Sequence, residues 1–227
     1  MPDGPVGPAE PDVGSALLEF RAVMAQLRAE CGWKSAQTHR SLARYLLEET
    51  HETLDAIETG TPDDLREELG DLLLQVYFHA AIAEESGAFD LEDVAAGIVA
   101  KMRRRNPHVF GPDGDAAGRP TDPAAVNELW ESVKATEKPR DGVLDGIAPT
   151  LPALLLADKV LDRLVRAGEP VDDVLARSTA SSASSADDAG VGAELLRVVA
   201  RARAAGVDPE QALRELARGL AAAGGSD

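Results

Sequence analysis

The stretch LLEETHETLDAIETGTPDDLREELGDLLLQVYF, residues 46–78, decides how this chain folds. It reads as two helices joined by one tight turn at Gly60. After the turn, Thr61 suits an N-cap, Pro62 fits the first helical position, and Asp63 and Asp64 suit the positive end of a helix dipole. In an antiparallel hairpin, residues equidistant from the turn sit at the same height. Glu49 and Asp71 each stand eleven residues from Gly60, and Glu52 and Glu68 each stand eight from it. Each helix therefore carries acids at i and i+3 on one face, and the two pairs converge. Such a set is a site for a hard divalent cation, and all-oxygen donors suit Mg²⁺ or Mn²⁺ better than zinc.

At about 100° per residue, Leu42, Leu46, Thr53, Ala56 and Ile57 define an apolar sector on the first helix. Glu49 falls inside that sector, Glu52 at its edge, and Glu48 further toward solvent. On the second helix, leucines from Leu65 to Leu74 and the run Val76, Tyr77, Phe78 and Ile82 nearly close the circle. Only Glu68, Asp71 and Gln75 break it, as one polar strip. A helix that is apolar all round has to be covered all round, which implies a bundle or a dimer interface. An unpaired carboxylate in that setting takes up a proton rather than remain charged, and a bound cation is the obvious compensation. The alternative is a solvated acidic face with ordinary ion pairs. Glu48-x-x-His51 has the spacing found in di-iron bundles, but Val76 stands where the second copy needs an acid before His79, so a di-iron centre is not expected.

Outward from the hairpin the pattern stays helical. Helices are expected from Ser15, as cap, to about residue 30, then from Thr38, as cap, to about 59, and from Pro62 to about 86. Asp90 caps a further one over 91–105, Thr121 or Asp122 starts another, and 151–167 gives one more. Two alanine-rich helices, about 192–205 and 209–223, finish the chain. CGWKSAQ at 31–37 and residues 108–119 read as loops. The expected fold is all-α, a helical bundle built on an antiparallel helix hairpin.

Composition narrows the function. The chain has 227 residues with 40 acids against 23 bases, a formal charge of −17. That surface repels nucleic acid and anionic membranes, so neither is an expected partner, and a polyanionic substrate needs a metal or clustered bases. No apolar run reaches the length of a membrane span. The single cysteine, Cys31, and an acidic, proline-rich start unlike a signal peptide fit a cytoplasmic location. Lys101 and Arg105 share a face at i, i+4, as do Trp130 and Lys134. They either complement a helix C-terminus or clamp phosphates beside a metal. Trp33, in its loop, is a candidate to stack on a base or to anchor the loop.

At these residues the sequence resembles the MazG-type nucleoside triphosphate pyrophosphohydrolases, whose pattern is EExxE followed by ExxD. Here it stands as Glu48-Glu49-x-x-Glu52 and Glu68-x-x-Asp71. QTHRSLARYLLEE, DDLREELGDLLLQVYFHA, RRRNPHVFG, NELWESVKATEK and GIAPTLPALLLADK extend the resemblance in order. It implies a fold that dimerises through its helices, and Mg²⁺-dependent cleavage of NTPs or dNTPs to the monophosphate and pyrophosphate, with non-canonical or oxidised nucleotides among the targets. It also implies that Glu49, Glu52, Glu68 and Asp71 hold metal and that Glu48 assists, by orienting water, as the fifth catalytic acid. Lys101, Arg105, Trp130 and Lys134 match its substrate-contact positions, with Trp33 beside them. A narrower dUTPase-like or phosphoribosyl-ATP pyrophosphohydrolase, and a non-catalytic helical dimer that binds a partner, are the alternatives. Two departures stand out. Gly32 and Lys34 replace a proline and an aspartate in the family's CPWD loop. The tail looks like a shrunken second copy, with Val191 and Glu194 where Glu68 and Asp71 would be. The expected organisation is a disordered segment at 1–14, a MazG-like domain at 15–168, a low-complexity linker at 169–190 and a degenerate helical tail at 191–227.

Overall fold

Local capping chemistry sets the helix starts. Thr38, Thr61 and Asp90 each cap a helix with reciprocal bonds to the residue three further on, Ser41, Asp64 and Asp93. At Thr61 the backbone N–H donates to Asp64 Oδ2 at 2.7 Å, and the Asp64 N–H donates back to Thr61 Oγ1 at 3.3 Å. Each such box stabilises its helix by about 1 kcal/mol. These bonds also hold the Asp64 carboxyl below its ordinary range.

The computed structural model describes residues 14–111, 121–137, 142–174, 176 and 186–224. Among them every regular element is helical and none is a strand. The expected disordered segment, save Gly14, and residues 175 and 177–185 of the expected linker lie outside the described residues. The helices are α1 (Ser15–Glu30), α2 (Gly32–Ser35), α3 (His39–Thr59), α4 (Pro62–Glu85), α5 (Leu91–Arg105), α6 (Pro107–Phe110), α7 (Pro123–Glu137), α8 (Ala153–Arg166), α9 (Ala186–Ala204) and α10 (Pro209–Gly224). Four details differ from the sequence reading, the first being that α9 starts at Ala186, inside the expected 169–190 linker. Gly14, at φ +98°, takes the N-cap place expected of Ser15, and its carbonyl accepts from the Leu17 and Leu18 N–H groups. The 31–37 loop contains the single turn α2, and the short α6, opened by Pro107, runs into the start of the expected 108–119 loop.

The chain divides into two compact units, Met1–Lys134 and Ala135–Asp227. In the first, α3 and α4 form the hairpin, and α1 and α5 pack on α4. Met24, Leu42, Tyr77 and Phe78 make its buried centre, with Phe20, Leu27, Tyr45 and Leu73 against them. Burying a side chain of this size contributes roughly 1.5–3 kcal/mol. Phe20 stacks on Tyr77 at 4.6 Å, and the Tyr77 hydroxyl donates to the Leu17 carbonyl at 3.0 Å. In the second unit α8 packs against α9 and α10. Leu161, Ala193 and Val199 are buried there, and Arg203 of α9 joins Asp158 and Asp162 of α8. No described helix is long and apolar enough to cross a membrane.

The α3 face is narrower than the expected sector. Leu42, Thr53 and Ala56 are buried and Glu49 is half-buried, whereas Leu46 and Ile57 remain 40% and 60% exposed. With Leu42 as origin, Glu49, Thr53 and Ala56 lie within about 40° of it, and Leu46 and Ile57 lie about 40–60° to one side. The hairpin contact therefore runs past them. On α4, Leu69 and Val76 likewise stay exposed.

Candidate active site

Thr53 holds the two acidic helices at short range. It is buried, its hydroxyl donates to the Glu49 carbonyl at 2.7 Å, and the Glu68 carbonyl of α4 lies 3.5 Å away. That close contact brings Glu49 from α3 beside Glu68 and Asp71 from α4. One carboxylate oxygen from each of the three lies within 4.8 Å of the others, and all three residues are half-buried. Glu52 and Glu48 are exposed at the rim, and Glu52 stands outside the trio at that spacing.

The electrostatics of this cluster are one-sided. Burial, then the charges of Asp71, Glu52, Glu68 and Glu48, push the Glu49 carboxyl above its ordinary range. Burial, then Glu52, Asp71, Glu67 and Asp64, push Glu68 up likewise. Each charged neighbour in these two sets is an acid. A group of hard oxygen donors whose charges repel one another, with no base among those neighbours, fits a divalent cation.

The expected substrate residues fall into separate groups. Arg105 of α5 lies over the Trp130 ring of α7, 5.2 Å from guanidinium carbon to centroid. Lys101 is half-buried on α5. Lys134 bonds Glu131 of its own helix at 3.0 Å, so its ammonium is engaged. Trp33, on α2, is 53% exposed and meets Tyr45 edge-on at 6.2 Å. Lys34 Nζ sits 5.5 Å from the Trp33 ring and 5.3 Å from that of Phe78.

Several residues escaped the sequence reading. Arg28 of α1 is buried and bonds both Glu85 and the 31–37 segment. His39 and His79, forty positions apart, stack with parallel rings and bring their Nδ1 atoms to 2.7 Å. His79 Nε2 is shielded without a partner, so the best arrangement has His79 donating from Nδ1 to His39. Gln75, by contrast, was read in the sequence as part of the Glu68–Asp71 strip, and it is 4% exposed with an unpartnered Oε1.

Fold and site together define an all-α protein organised around an acidic helical hairpin. The MazG nucleotide pyrophosphohydrolase domain matches residues 37–110. The nucleoside triphosphate pyrophosphohydrolase/pyrophosphatase MazG of Thermotoga maritima is 35% identical over 221 residues, 91% of this chain and 83% of that protein. An uncharacterised 26.1 kDa protein of Streptomyces cacaoi is 41% identical over 96% of this chain and 85% of its own length. The nucleoside triphosphate pyrophosphohydrolase of Mycobacterium tuberculosis is 44% identical over 178 residues, and the match spans 78% of this chain but about half, 53%, of that relative. The crystal structure of a mazG-related protein from Thermotoga maritima aligns with a TM-score of 0.43 at 24% identity, covering 52% of this chain and 96% of that one. The chain belongs to the MazG family.

Proposed function

We propose that this protein is a Mg²⁺-dependent nucleoside triphosphate pyrophosphohydrolase, converting NTPs or dNTPs to the monophosphate and pyrophosphate. The observation that carries the reading is the carboxylate trio of Glu49, Glu68 and Asp71, converging within 4.8 Å in a chain of this family. These three residues would hold the cation, with Glu52 completing the set from the rim. When bound, Mg²⁺, or Mn²⁺ in its place, supplies Lewis-acid neutralisation of the triphosphate and a more acidic water.

The remaining work falls to the chain. Water oxygen attacks the α-phosphorus, the bond from that phosphorus to the α–β bridging oxygen breaks, and pyrophosphate leaves with the bond's electron pair. Glu48, exposed and next to Glu49 in the chain, would orient the water and accept its proton. Lys101 and Arg105 counter the charge that develops on the phosphates. Trp130 fixes the plane of the Arg105 guanidinium, and Lys134 joins them once it releases Glu131. Trp33 offers its exposed ring to the base. Residues 15–168 carry the activity in this reading, and 191–227 is a degenerate second copy.

The protein acts as a homodimer. Leu46, Ile57, Leu69 and Val76 leave apolar surface on both hairpin helices for a second copy. A cytoplasmic role in clearing non-canonical or oxidised nucleotides from the pool fits the unpaired Cys31 and the acidic chain. The test is a panel of canonical and oxidised nucleotides with Mg²⁺, scored for pyrophosphate against phosphate. Pyrophosphate release that Glu49→Ala and Asp71→Ala abolish, with helicity kept, is expected. Turnover unchanged in both variants, or phosphate as the product, overturns the assignment.

A further inference from the structure

The single turn α2 buries none of its side chains. Besides the edge-on contact of Trp33 with Tyr45 and the Lys34 ammonium over Phe78, the segment is held by polar contacts to its backbone, and Arg28 supplies them. Its residue is only 9% exposed. The guanidinium forks onto Glu85 of α4, Nε to Oε1 at 2.6 Å and Nη2 to Oε2 at 2.5 Å. Nη1 donates to the Lys34 carbonyl and, at 3.2 Å, to the Gln37 carbonyl. Its central carbon lies 5.8 Å from the centroid of Phe78. One buried cation thus joins α1, α4, the core and the segment that carries Trp33. Gln37 Nε2 to the Trp33 carbonyl at 3.0 Å and Ser35 Oγ to the Gly32 carbonyl at 3.1 Å are internal to the segment, Ser41 Oγ of α3 donates to Gln37 Oε1 at 2.7 Å, and Arg28 ties the segment's backbone to α1 and α4.

With Arg28 buried and Glu85 half exposed, the pair adds little net stability, because desolvation of the guanidinium offsets the attraction and water screens it. What an arginine adds is direction, five N–H donors fixed in one plane. That matters here because Gly32 opens α2 without side-chain constraint on its backbone. We propose that Arg28, braced by Glu85, is a positioning residue that sets Trp33 to receive the nucleobase. This rests on the reading of the protein as a nucleotide hydrolase with Trp33 at the base. Arg28 touches no substrate; it acts through the Lys34 and Gln37 carbonyls, one and four residues after the indole in the chain.

The test labels the full chain with 5-fluorotryptophan. The sequence has two tryptophans, so the Trp33 fluorine resonance is assigned by its absence in Trp33→Phe. Arg28→Lys keeps the charge and loses the fork. It should shift and broaden the Trp33 resonance, leave that of Trp130 in place, and raise KM about tenfold with kcat nearly unchanged, the size of one lost base–aromatic stack. In a Trp33→Ala background the same change should add no further rise. If Arg28→Lys fails to fold, Glu85→Gln on the half-exposed partner takes its place and should give the same shift with a smaller KM effect. An unmoved Trp33 resonance in a folded variant, or a KM rise that adds in full to that of Trp33→Ala, overturns the proposal. A wild-type protein silent on every nucleotide overturns the functional reading instead, and the resonance still decides the clamp.

Discussion

Glu49→Gln should make the cation-free protein more stable while destroying its response to Mg²⁺. The oxygens of Glu49 and Asp71 come within 4.8 Å. Two unit charges at that distance repel by about 1 kcal/mol at the dielectric of water and about 3.5 kcal/mol at an effective dielectric near 20. Glu49 is half-buried at an open rim, which places the cost nearer the lower figure. Relief of about 1 kcal/mol raises Tm by roughly 2–4 °C in a protein of this size. Wild type, by contrast, should gain about 2.7 kcal/mol from Mg²⁺ at a hundredfold excess over Kd, and the variant close to none. The pH dependence has a definite sign. The Glu49 carboxyl is raised in the folded state, by burial first and its acidic neighbours next. Its contribution is therefore fully present below the unfolded carboxylate value and lost as pH rises through the folded one. Wild type in EDTA should lose stability across that window, the variant should lose less, and Mg²⁺ should restore the wild type above it. Thermal melts by circular dichroism, with EDTA or Mg²⁺ from about pH 4 to about pH 8, measure all of this. A variant that melts below wild type in EDTA, or keeps its Mg²⁺ shift, refutes the reasoning.

Two further perturbations follow from the same unit. Burial first, and the His39 charge second, hold the His79 imidazole below its ordinary range, so its contribution is present above the unfolded value and lost as pH falls through the folded one. His39→Asn should move the His79 titration upward yet leave it below the ordinary value, because burial remains; an NMR titration that shows no upward movement refutes the pairing. A Cβ at Gly60 would meet the Ala56 carbonyl oxygen at 2.8 Å and its Cα at 2.9 Å, both backbone atoms that cannot swing aside. Gly60→Ala should therefore cost about 1–3 kcal/mol and weaken Mg²⁺ binding by disturbing the register of the acids, and calorimetry showing both unchanged would count against the turn as the element that sets it.

What was legible in the sequence was local. Thr38, Thr61 and Asp90 announced helix starts because a cap is read from a residue and its neighbour three positions on. The trio was legible because i, i+3 spacing about a turn fixes height and face together. The width of the contact face was not. Leu46 and Ile57 match the apolar pattern as well as Leu42 does, but Thr53 and Ala56 are smaller, and the buried contact follows the small side chains. Arg28–Glu85 and His39–His79 were illegible for another reason. Their partners are 57 and 40 positions apart, and the packing of α1 on α4 for the first pair and of α3 on α4 for the second decides that they meet.

The hairpin carries two imbalances, and they have a common origin in α4. Its Tyr77, Phe78, Ala80 and Ala83 are core, its Glu68 and Asp71 face Glu49, and its Leu69 and Val76 remain uncovered. A helix of 24 residues that serves the core along one stripe has no room to bury the acids' charge with bases, because the flanking stripes are also apolar. The acids are therefore left to one another, which burial and mutual repulsion make unfavourable, and a cation relieves that without any new side chain. The exposed leucine and valine are relieved in the same economical way if the complementary surface is another copy of the hairpin. Site geometry is then inherited from core geometry: Thr53 sets how closely α3 approaches α4, and that approach fixes the distance between Glu49 and the α4 acids.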